Sequence, residues 1–263
     1  MVAHPPLTRL AAGTDRPGPK ITGQVTLKIE GEPAAFEITI PAGNIRPDDL
    51  LPVFQGITDV MVARAEARVR SGGQSISCRA GCGACCRQLV PVSEAEASAV
   101  AQMVETLPEP RRAAVRAKFQ NALTAIAAAG VLARLDRVCG EGDGDEDVVD
   151  LGLDYFGLGI ACPFLEAESC SIHVDRPLSC REFLVTSPRE NCAAPSAETV
   201  AVVKMARLSP ALRAISRAST HDGWTPLVTA LRFATATPPP ASDRVGIEIL
   251  SQVINHGAAE PKP

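Results

Sequence analysis

Cysteines are the residues of this 263-residue chain best suited to chemistry, and eight of the nine fall into two groups. The first group is compact and consists of Cys78, Cys82, Cys85 and Cys86 in SCRAGCGACCR. Such short spacings bring several sulfurs within reach of one metal, whereas a structural cysteine usually stands alone as a small hydrophobe. Whether the stretch is helical, or partly a loop as Gly81 and Gly83 indicate, several thiols face one side. We predict a metal-binding motif, with buried structural thiols or disulfides as the alternative.

The second group is dispersed and consists of Cys162, Cys170, Cys180 and Cys192. Seven, nine and eleven residues separate its successive members, so only the tertiary fold can bring them together. One interpretation is that this group folds over the compact motif and completes its coordination. Eight thiolates would fill two tetrahedral zinc sites, hold two iron–sulfur clusters, or hold one cluster with ligands to spare.

Two separated motifs carry a family resemblance. CxxxCxxCC at 78–86 is followed by CPFL at 162–165 and by CSIHVDRPLSCREF at 170–183. This order resembles the YkgJ family of cysteine-cluster proteins, which is described as a zinc- or iron-chelating domain, over about residues 75–195. A related cysteine pattern occurs in flagellin lysine N-methylases. The resemblance implies a metal-binding role without implying a particular reaction.

The resemblance also implies a set of ligands. Its candidate ligands are the cysteines of the matching motifs, namely Cys78, Cys82, Cys85, Cys86, Cys162, Cys170 and Cys180. The family positions beside them are Arg176, Pro177 and Arg181. We add Cys192 as a candidate ligand from the second group, whereas Cys139 lies outside both motifs and is predicted to be an isolated thiol. His173 stands where relatives commonly carry tyrosine; we favour a ring that fills the tyrosine's space over an extra nitrogen ligand.

The chemistry of thiolate ligands limits which metals the protein is expected to bind. Thiolates suit zinc and iron–sulfur centres and are poor ligands for magnesium or calcium. We therefore expect zinc or iron, the latter either as ions or as an iron–sulfur cluster. The basic residues near the two groups are Arg79, Arg87, Arg176 and Arg181. They would offset the negative charge of a thiolate site and lower thiol pKa values, or else simply pair with surface acids.

An enzyme is the second functional hypothesis. The CxxxCxxC of radical S-adenosylmethionine enzymes also matches Cys78, Cys82 and Cys85. We interpret that match as fortuitous, because Ala84 replaces the aromatic residue of those enzymes and no strand–helix alternation follows. An iron–sulfur-dependent transferase similar to the protein lysine N-methylases is more credible, although the sequence reveals no S-adenosylmethionine pocket. No GxSxG, P-loop or dinucleotide fingerprint is present.

A metal-stabilised protein-interaction module is the third hypothesis. Its docking face would be Phe36, Ile38 or the terminal helix. Asp143, Asp145 and Asp147 match the first three ligand positions of an EF-hand calcium loop. The glycine and the final glutamate of that motif are missing, so a solvated acidic loop is the favoured interpretation.

Composition excludes several classes of protein. Hydrophobic residues make up 46% and charged residues 21%, which is typical of a globular fold, and the net charge of −4 gives no basic footprint for nucleic acid or an anionic membrane. We recognise no signal peptide or membrane span and expect a cytoplasmic protein. In that reducing compartment many cysteines indicate metal or redox chemistry. The expected partner is a metal ion, with no nucleic acid or membrane and with any protein partner unidentified.

The remaining pattern predicts a mainly α fold: a helical domain around a cysteine-ligated metal centre, with an N-terminal β-hairpin. The predicted organisation is a disordered leader over 1–19, the hairpin over 20–45, the cysteine-cluster metal-binding domain over 46–236, and a Pro-rich link, short helix and tail over 237–263. Helices are predicted over 47–69, from Ser93 to Leu107, over 111–135 with a kink at Gly130, from Ser196 to Ser219, and from Ser242 to Asn255.

Overall fold

A computed structural model describes residues 6–13, 18–140, 148–196, 198–216, 220, 223–237 and 243–257. Helices dominate it, as the sequence predicts. The α-helices are α1 (Leu51–Ser71), α2 (Glu94–Thr106), α3 (Arg111–Ala128), α4 (Val131–Gly140), α5 (Val148–Gly157), α6 (Leu178–Glu182), α7 (Ser209–Ser216), α8 (Ala230–Ala236) and α9 (Gly246–Gly257). Short 3₁₀ helices span Pro47–Leu50, Ala84–Arg87, His173–Asp175, Arg189–Ala193 and Leu227–Thr229.

The strands are short apart from an N-terminal pair. They are β1 (Leu7–Ala11), β2 (Lys20–Ile29), β3 (Glu32–Pro41), β4 (Asn44–Ile45), β5 (Pro91–Ser93), β6 (Leu165–Glu166), β7 (Ser169–Cys170), β8 (Trp224–Pro226) and β9 (Arg244–Val245). The first three form one sheet in the order β1-β3-β2. The two-residue and three-residue strands pair as β4 with β9, β5 with β8 and β6 with β7.

The N-terminal sheet confirms the predicted hairpin and corrects the predicted leader. β2 and β3 pair antiparallel with Val25 opposite Phe36, and the alternate residues of β3 that face the helices are buried. The leader over 1–19 was predicted to be disordered, yet β1 lies within it and pairs parallel with β3. That part of the prediction is wrong because the hydrogen-bonding edge of β3, more than 20 residues away in sequence, provides the order. The domain boundaries otherwise stay a prediction.

A first core joins the sheet to α1, α6, α7 and α9. Phe54, Ile57 and Met61 recur at helical spacing on α1 and are fully or almost fully buried in it. Arg64 of α1 donates hydrogen bonds to three backbone carbonyls around the hairpin turn, which ties the sheet to the helix. The predicted helix over 47–69 is therefore confirmed, with a 3₁₀ turn as its first part.

Two further cores are built on the central helices. The second core packs α2 and α3 around Phe119 and Phe164, whose rings meet edge to face at 5.5 Å between centroids. The third core joins α3, α4 and α5 to Trp224. Ser93 and Glu96 form the predicted capping box of α2. Gly130, at φ +73°, separates α3 from α4, so the predicted kink is a full break between two helices.

The helix predicted from Ser196 to Ser219 is largely wrong. Among the described residues of this stretch only α7 is helical, and Ser196 instead caps a turn through the amide of Thr199. Val203 donates its amide to the carbonyl of Leu184 at 2.8 Å, and Val202 bridges Val185. This β-branched stretch gains more from pairing with an extended neighbour than from helix formation, which its local pattern does not reveal. α9 confirms the predicted terminal helix.

The proposed docking faces are buried. Phe36 and Ile38 are 0% and 4% exposed in the first core, and the apolar side of α9 lies in the same core. The prediction of a protein-docking face at these residues is therefore wrong, because the fold itself covers them. The three aspartates that match an EF-hand loop, Asp143, Asp145 and Asp147, lie outside the described residues. Within the described parts of the chain, no helix combines the length and the apolar character needed to cross a membrane.

Candidate metal centre

The compact cysteine motif is a loop that ends in one short 3₁₀ helix. α1 ends at Ser71, and an extended segment then carries Cys78 to a turn at Gly81, whose φ of +79° favours glycine. Cys82 follows on the loop. Cys85 and Cys86 lie on the 3₁₀ helix Ala84–Arg87. The loop interpretation of Gly81 and Gly83 is thus confirmed over a continuous helix.

Gly83 allows a close approach between the two cysteine motifs. A Cβ placed on it would lie 2.6 Å from Oε2 of Glu168, 2.8 Å from Cδ1 of Leu165 and 3.3 Å from Cα of Glu168. These two residues belong to the β6–β7 hairpin, which also carries Cys170. The absence of a side chain at Gly83 therefore lets that hairpin pack directly onto the motif loop.

Gly83→Ala should consequently destabilise the protein by about 1–3 kcal/mol, because the added methyl group overpacks this contact. The side chains of Glu168 and Leu165 would have to turn away and the backbone at Glu168 to shift slightly, so we also expect weaker retention of bound metal. Chemical denaturation and metal analysis measure the two effects. The matched control is Gly152→Ala in α5, where the added Cβ meets open space. An unchanged Gly83→Ala variant would contradict the tight contact.

Backbone hydrogen bonds tie the dispersed cysteines to the compact motif. The Cys162 amide donates to the carbonyl of Cys86 at 2.7 Å, and the carbonyl of Cys162 accepts from Leu165 at 2.9 Å. Leu165 pairs with Cys170 across the β6–β7 hairpin. Cys180 lies on α6, and Cys192 on the 3₁₀ helix Arg189–Ala193, which packs against the helix of Cys85 and Cys86.

The two groups of cysteines converge on one cavity of about 400 Å³. All eight candidate ligands line it: Cys78, Cys82, Cys85, Cys86, Cys162, Cys170, Cys180 and Cys192. Cys139 is instead buried in the third core. Among the described residues, no three Cys, His, Asp or Glu side chains lie close enough together to hold a metal ion. The thiols therefore surround an open space rather than one point.

Burial favours the protonated form of these thiols. It raises the pKa of Cys162 to about 11 and raises the pKa values of Cys78, Cys170, Cys180 and Cys192. A hydrogen bond with Cys86, followed by burial, raises the pKa of Cys85. Metal ligation has to displace the protons of such thiols, so the charge of the metal must offset the cost of burying thiolates. As a donor set, eight convergent thiols fit zinc or an iron–sulfur centre.

Two buried carboxylates hold the helix that carries Cys180. Glu96 of α2 accepts hydrogen bonds from the amide of Leu178 at 2.7 Å and from the amide and hydroxyl of Ser93, both at 2.8 Å. Glu182, at the other end of α6, accepts from the amides of Leu208 and Ser209 and from the Ser209 hydroxyl. Burial raises the pKa of Glu182 to about 7 and also raises the pKa of Glu96. Both ends of α6 are thus fixed to neighbouring elements.

The arginines near the thiols have different surroundings. Arg87 pairs with Glu168 at 2.7 Å. Arg181 is buried, pairs with Asp59 of α1 at 2.6 Å and donates to the carbonyls of Val174 and Arg176. For these two arginines, pairing with acids is the interpretation that the contacts support.

Arg176 faces the thiols. It lines the cavity, and its buried Nε has no hydrogen-bond partner among the described residues. Its charge lowers the pKa values of Cys78, Cys85 and Cys170, against the larger effect of burial. Arg79 and His173 also line the cavity. Arg176, followed by burial, lowers the pKa of His173. The choice between ligand and space filler for His173 stays a prediction.

Sequence reasoning missed the two carboxylates as parts of the site. The sequence identified Glu96 only as part of a helix-capping box. Its hydrogen bond from the amide of Leu178 joins residues 82 positions apart, which no local pattern predicts. Glu182 stands two residues after Cys180 and next to Arg181, so its position in the motif was the available signal. Both act on the site by positioning α6.

Comparison with known protein families identifies the part of the chain that also carries the thiols of the cavity. Residues 77–197 match the model of the CxxCxxCC family, described as a "putative zinc- or iron-chelating domain". No curated protein and no solved structure matches the chain. The matched segment contains all eight cysteines that line the cavity, and the resemblance to YkgJ cysteine-cluster proteins fits this family. Residues 77–197 are therefore similar to the CxxCxxCC family, whose model describes a zinc- or iron-chelating domain.

Proposed function

We propose that the protein binds an iron–sulfur centre in the thiol-lined cavity. The observation that carries the proposal is that eight thiols surround about 400 Å³ of space without converging on one point. A zinc ion needs four ligands within about 2.3 Å of itself, which demands tight convergence. A cluster places its own sulfides between the irons, so its protein thiolates stand farther apart. Because a liquid water molecule takes up about 30 Å³, this cavity has room for a polyatomic group.

The proposed ligands come from the eight cysteines that line the cavity: Cys78, Cys82, Cys85, Cys86, Cys162, Cys170, Cys180 and Cys192. When bound, such a centre supplies one-electron redox chemistry or stores iron. The helix α6 holds Cys180 in place, and Arg176 supplies a positive charge beside the thiols. A reducing compartment such as the cytoplasm would keep the thiols free of disulfides.

Metal and sulfide analysis of protein purified without oxygen tests the proposal. We expect iron and acid-labile sulfide in comparable amounts, together with broad visible absorption. Stoichiometric zinc without sulfide would contradict the iron–sulfur centre and assign a chelating or structural zinc domain. Zinc is the second candidate because Cys82 lies on a half-exposed loop beside Gly81, and movement of that loop could bring sulfurs onto a single ion.

Cys82→Ala should lower the bound metal and the melting temperature together. Cys82 lies on the loop and is not part of a hydrophobic core, so its loss removes a thiol with little direct cost in packing. Metal analysis and a thermal melt under argon measure the two effects. Cys139→Ala is the matched control, since that thiol lies outside the cavity, and it should keep its full metal content. Unchanged metal and melting in the Cys82 variant would count against the ligand assignment.

A further inference from the structure

Most arginines in or near the wall of the cavity already have carboxylate partners. Arg87 and Arg181 form the ion pairs described above. Arg189, which lines the cavity, pairs with Glu190 at 3.1 Å. Each of these three guanidinium groups therefore has an anionic partner within the fold.

Arg176 differs from them. It lines the cavity, and its guanidinium forms no ion pair with any residue that the structure describes. Its Nε is buried, and neither an oxygen nor a thiol sulfur of the described residues accepts a hydrogen bond from it. A buried charged donor that lacks an acceptor is costly, so such a group calls for a partner. This arrangement indicates that the acceptor belongs to a molecule that enters the cavity.

The backbone of Arg176 is held in place by its neighbours. Its carbonyl accepts a hydrogen bond from Nε of Arg181 at 3.0 Å and a longer one from the side chain of Gln55 on α1 at 3.5 Å. Arg181 is itself fixed to α1 by its ion pair with Asp59. The guanidinium of Arg176 therefore extends from a rigid support, which lowers the entropy lost when it binds a partner.

The charges of the cavity wall favour an anion. Three arginines and two glutamates line the cavity, and one of the glutamates, Glu168, is offset by Arg87, which lies outside the wall. The other glutamate is Glu66 of α1. Arg79 lines the cavity from the motif loop and is exposed, so it places a positive charge where the cavity meets solvent.

The geometry of a guanidinium narrows the kind of anion. Its Nε and Nη donors form a planar fork that matches two oxygens of a carboxylate or of a phosphate group. The cavity of about 400 Å³ is many times larger than the about 30 Å³ of a liquid water molecule, so it has room for a small molecule that carries such a group.

We propose that the cavity binds a small molecule through its carboxylate or phosphate group, which the forked guanidinium of Arg176 holds while Arg79 adds a second positive charge at the opening. The inference goes beyond the proposed function, because a metal centre that serves only structure or iron storage needs no site for an anion. It gives the cavity a small-molecule ligand in addition to its metal.

Calorimetric titration with inorganic phosphate and with succinate tests the site. The protein is purified without oxygen and kept reduced in a Tris chloride buffer of low ionic strength. We expect at least one of the two probes to bind with a Kd of about 1 mM or lower. The probe that binds more tightly tells whether the site prefers a phosphate or a carboxylate.

Three variants identify the group that binds the probe. Arg176→Gln should weaken binding about tenfold or more, because it removes a charged donor. Arg176→Lys should weaken it by a similar factor, since an ammonium group keeps the charge and loses the fork. The matched control is Arg189→Gln, which removes an exposed and already paired charge from the same wall and should change the Kd by less than about threefold. The side chain of Arg176 bonds to none of the described residues, so its variants should fold, which a thermal melt verifies.

The outcomes separate this inference from the proposed function, because iron and sulfide are measured on the same samples. A wild-type protein that binds a probe through Arg176 and contains no iron would reject the iron–sulfur centre and keep the anion site. A protein that binds neither probe would overturn the anion site. So would binding that Arg176→Lys leaves unchanged, or that Arg189→Gln weakens equally, since general attraction by positive charge would then explain it. Variants of Arg176 that lose metal but still bind the probe would show that this arginine serves the metal centre instead.

Discussion

Removal of the bound metal is expected to lower the melting temperature by about 10 °C or more. A ligand that binds only the folded state at a thousand times its dissociation constant contributes about 4 kcal/mol, and each kcal/mol shifts the melting of a domain this size by about 2–4 °C. The walls of the cavity come mostly from loops and 3₁₀ helices, which form few hydrogen bonds of their own. Without metal, the segments that carry the thiols are held together by packing and by a few hydrogen bonds, such as the one from the amide of Cys162 to the carbonyl of Cys86.

Removal of the metal should change the structure only around the cavity, although it should lower the stability of the protein strongly. Most of the helical residues lie outside the cavity wall, so far-UV circular dichroism of the metal-free protein should change little. Trypsin should cut faster after Arg79 and Arg87, which flank the motif loop. A chelated sample with unchanged melting and unchanged cleavage would contradict a structural role for the metal. The measurement requires a reductant, since disulfides between the freed thiols would imitate the effect of the metal.

The sequence predicted the chemistry of the site better than its architecture. Spacings within the compact motif were enough to predict that Cys78, Cys82, Cys85 and Cys86 face one side, because short spacing limits where side chains can point. Convergence of the dispersed cysteines on the compact motif was one interpretation of their wide spacing. The contacts that hold these cysteines in place could not be predicted from the sequence. The hydrogen bond from the amide of Cys162 to the carbonyl of Cys86 joins residues 76 positions apart, and no local pattern encodes such a contact.

The errors in the fold have the same cause. β1 becomes ordered through the edge of β3, and the stretch around Val202 becomes extended through Val185. Both segments have ambiguous local patterns, and partners distant in sequence decide their structure. Helices such as α1 and α2 were predicted well because their periodicity and caps are properties of the segment itself.

Glu96→Gln is expected to destabilise the protein by about 2–3 kcal/mol, whereas Glu182→Gln should cost about 1 kcal/mol or less. The two side chains have different donors around them. One oxygen of Glu96 accepts from the Leu178 amide and the other from the Ser93 amide, so both oxygens face backbone N–H groups. Glutamine has only one oxygen, and in either orientation its NH₂ group would face a backbone N–H that lacks an acceptor.

Glu182 offers glutamine a satisfactory arrangement. One of its oxygens accepts both backbone amides, of Leu208 and Ser209, while the other meets only the Ser209 hydroxyl, which can rotate and accept a hydrogen bond from NH₂. Denaturant unfolding of both variants measures the difference, and metal analysis should show a greater loss in the Glu96 variant because α6 then holds Cys180 less firmly. Equal destabilisation would mean that the geometry of the acceptors does not fix α6. In that case packing of Leu178 in the first core, rather than the buried carboxylates, would position the helix of Cys180.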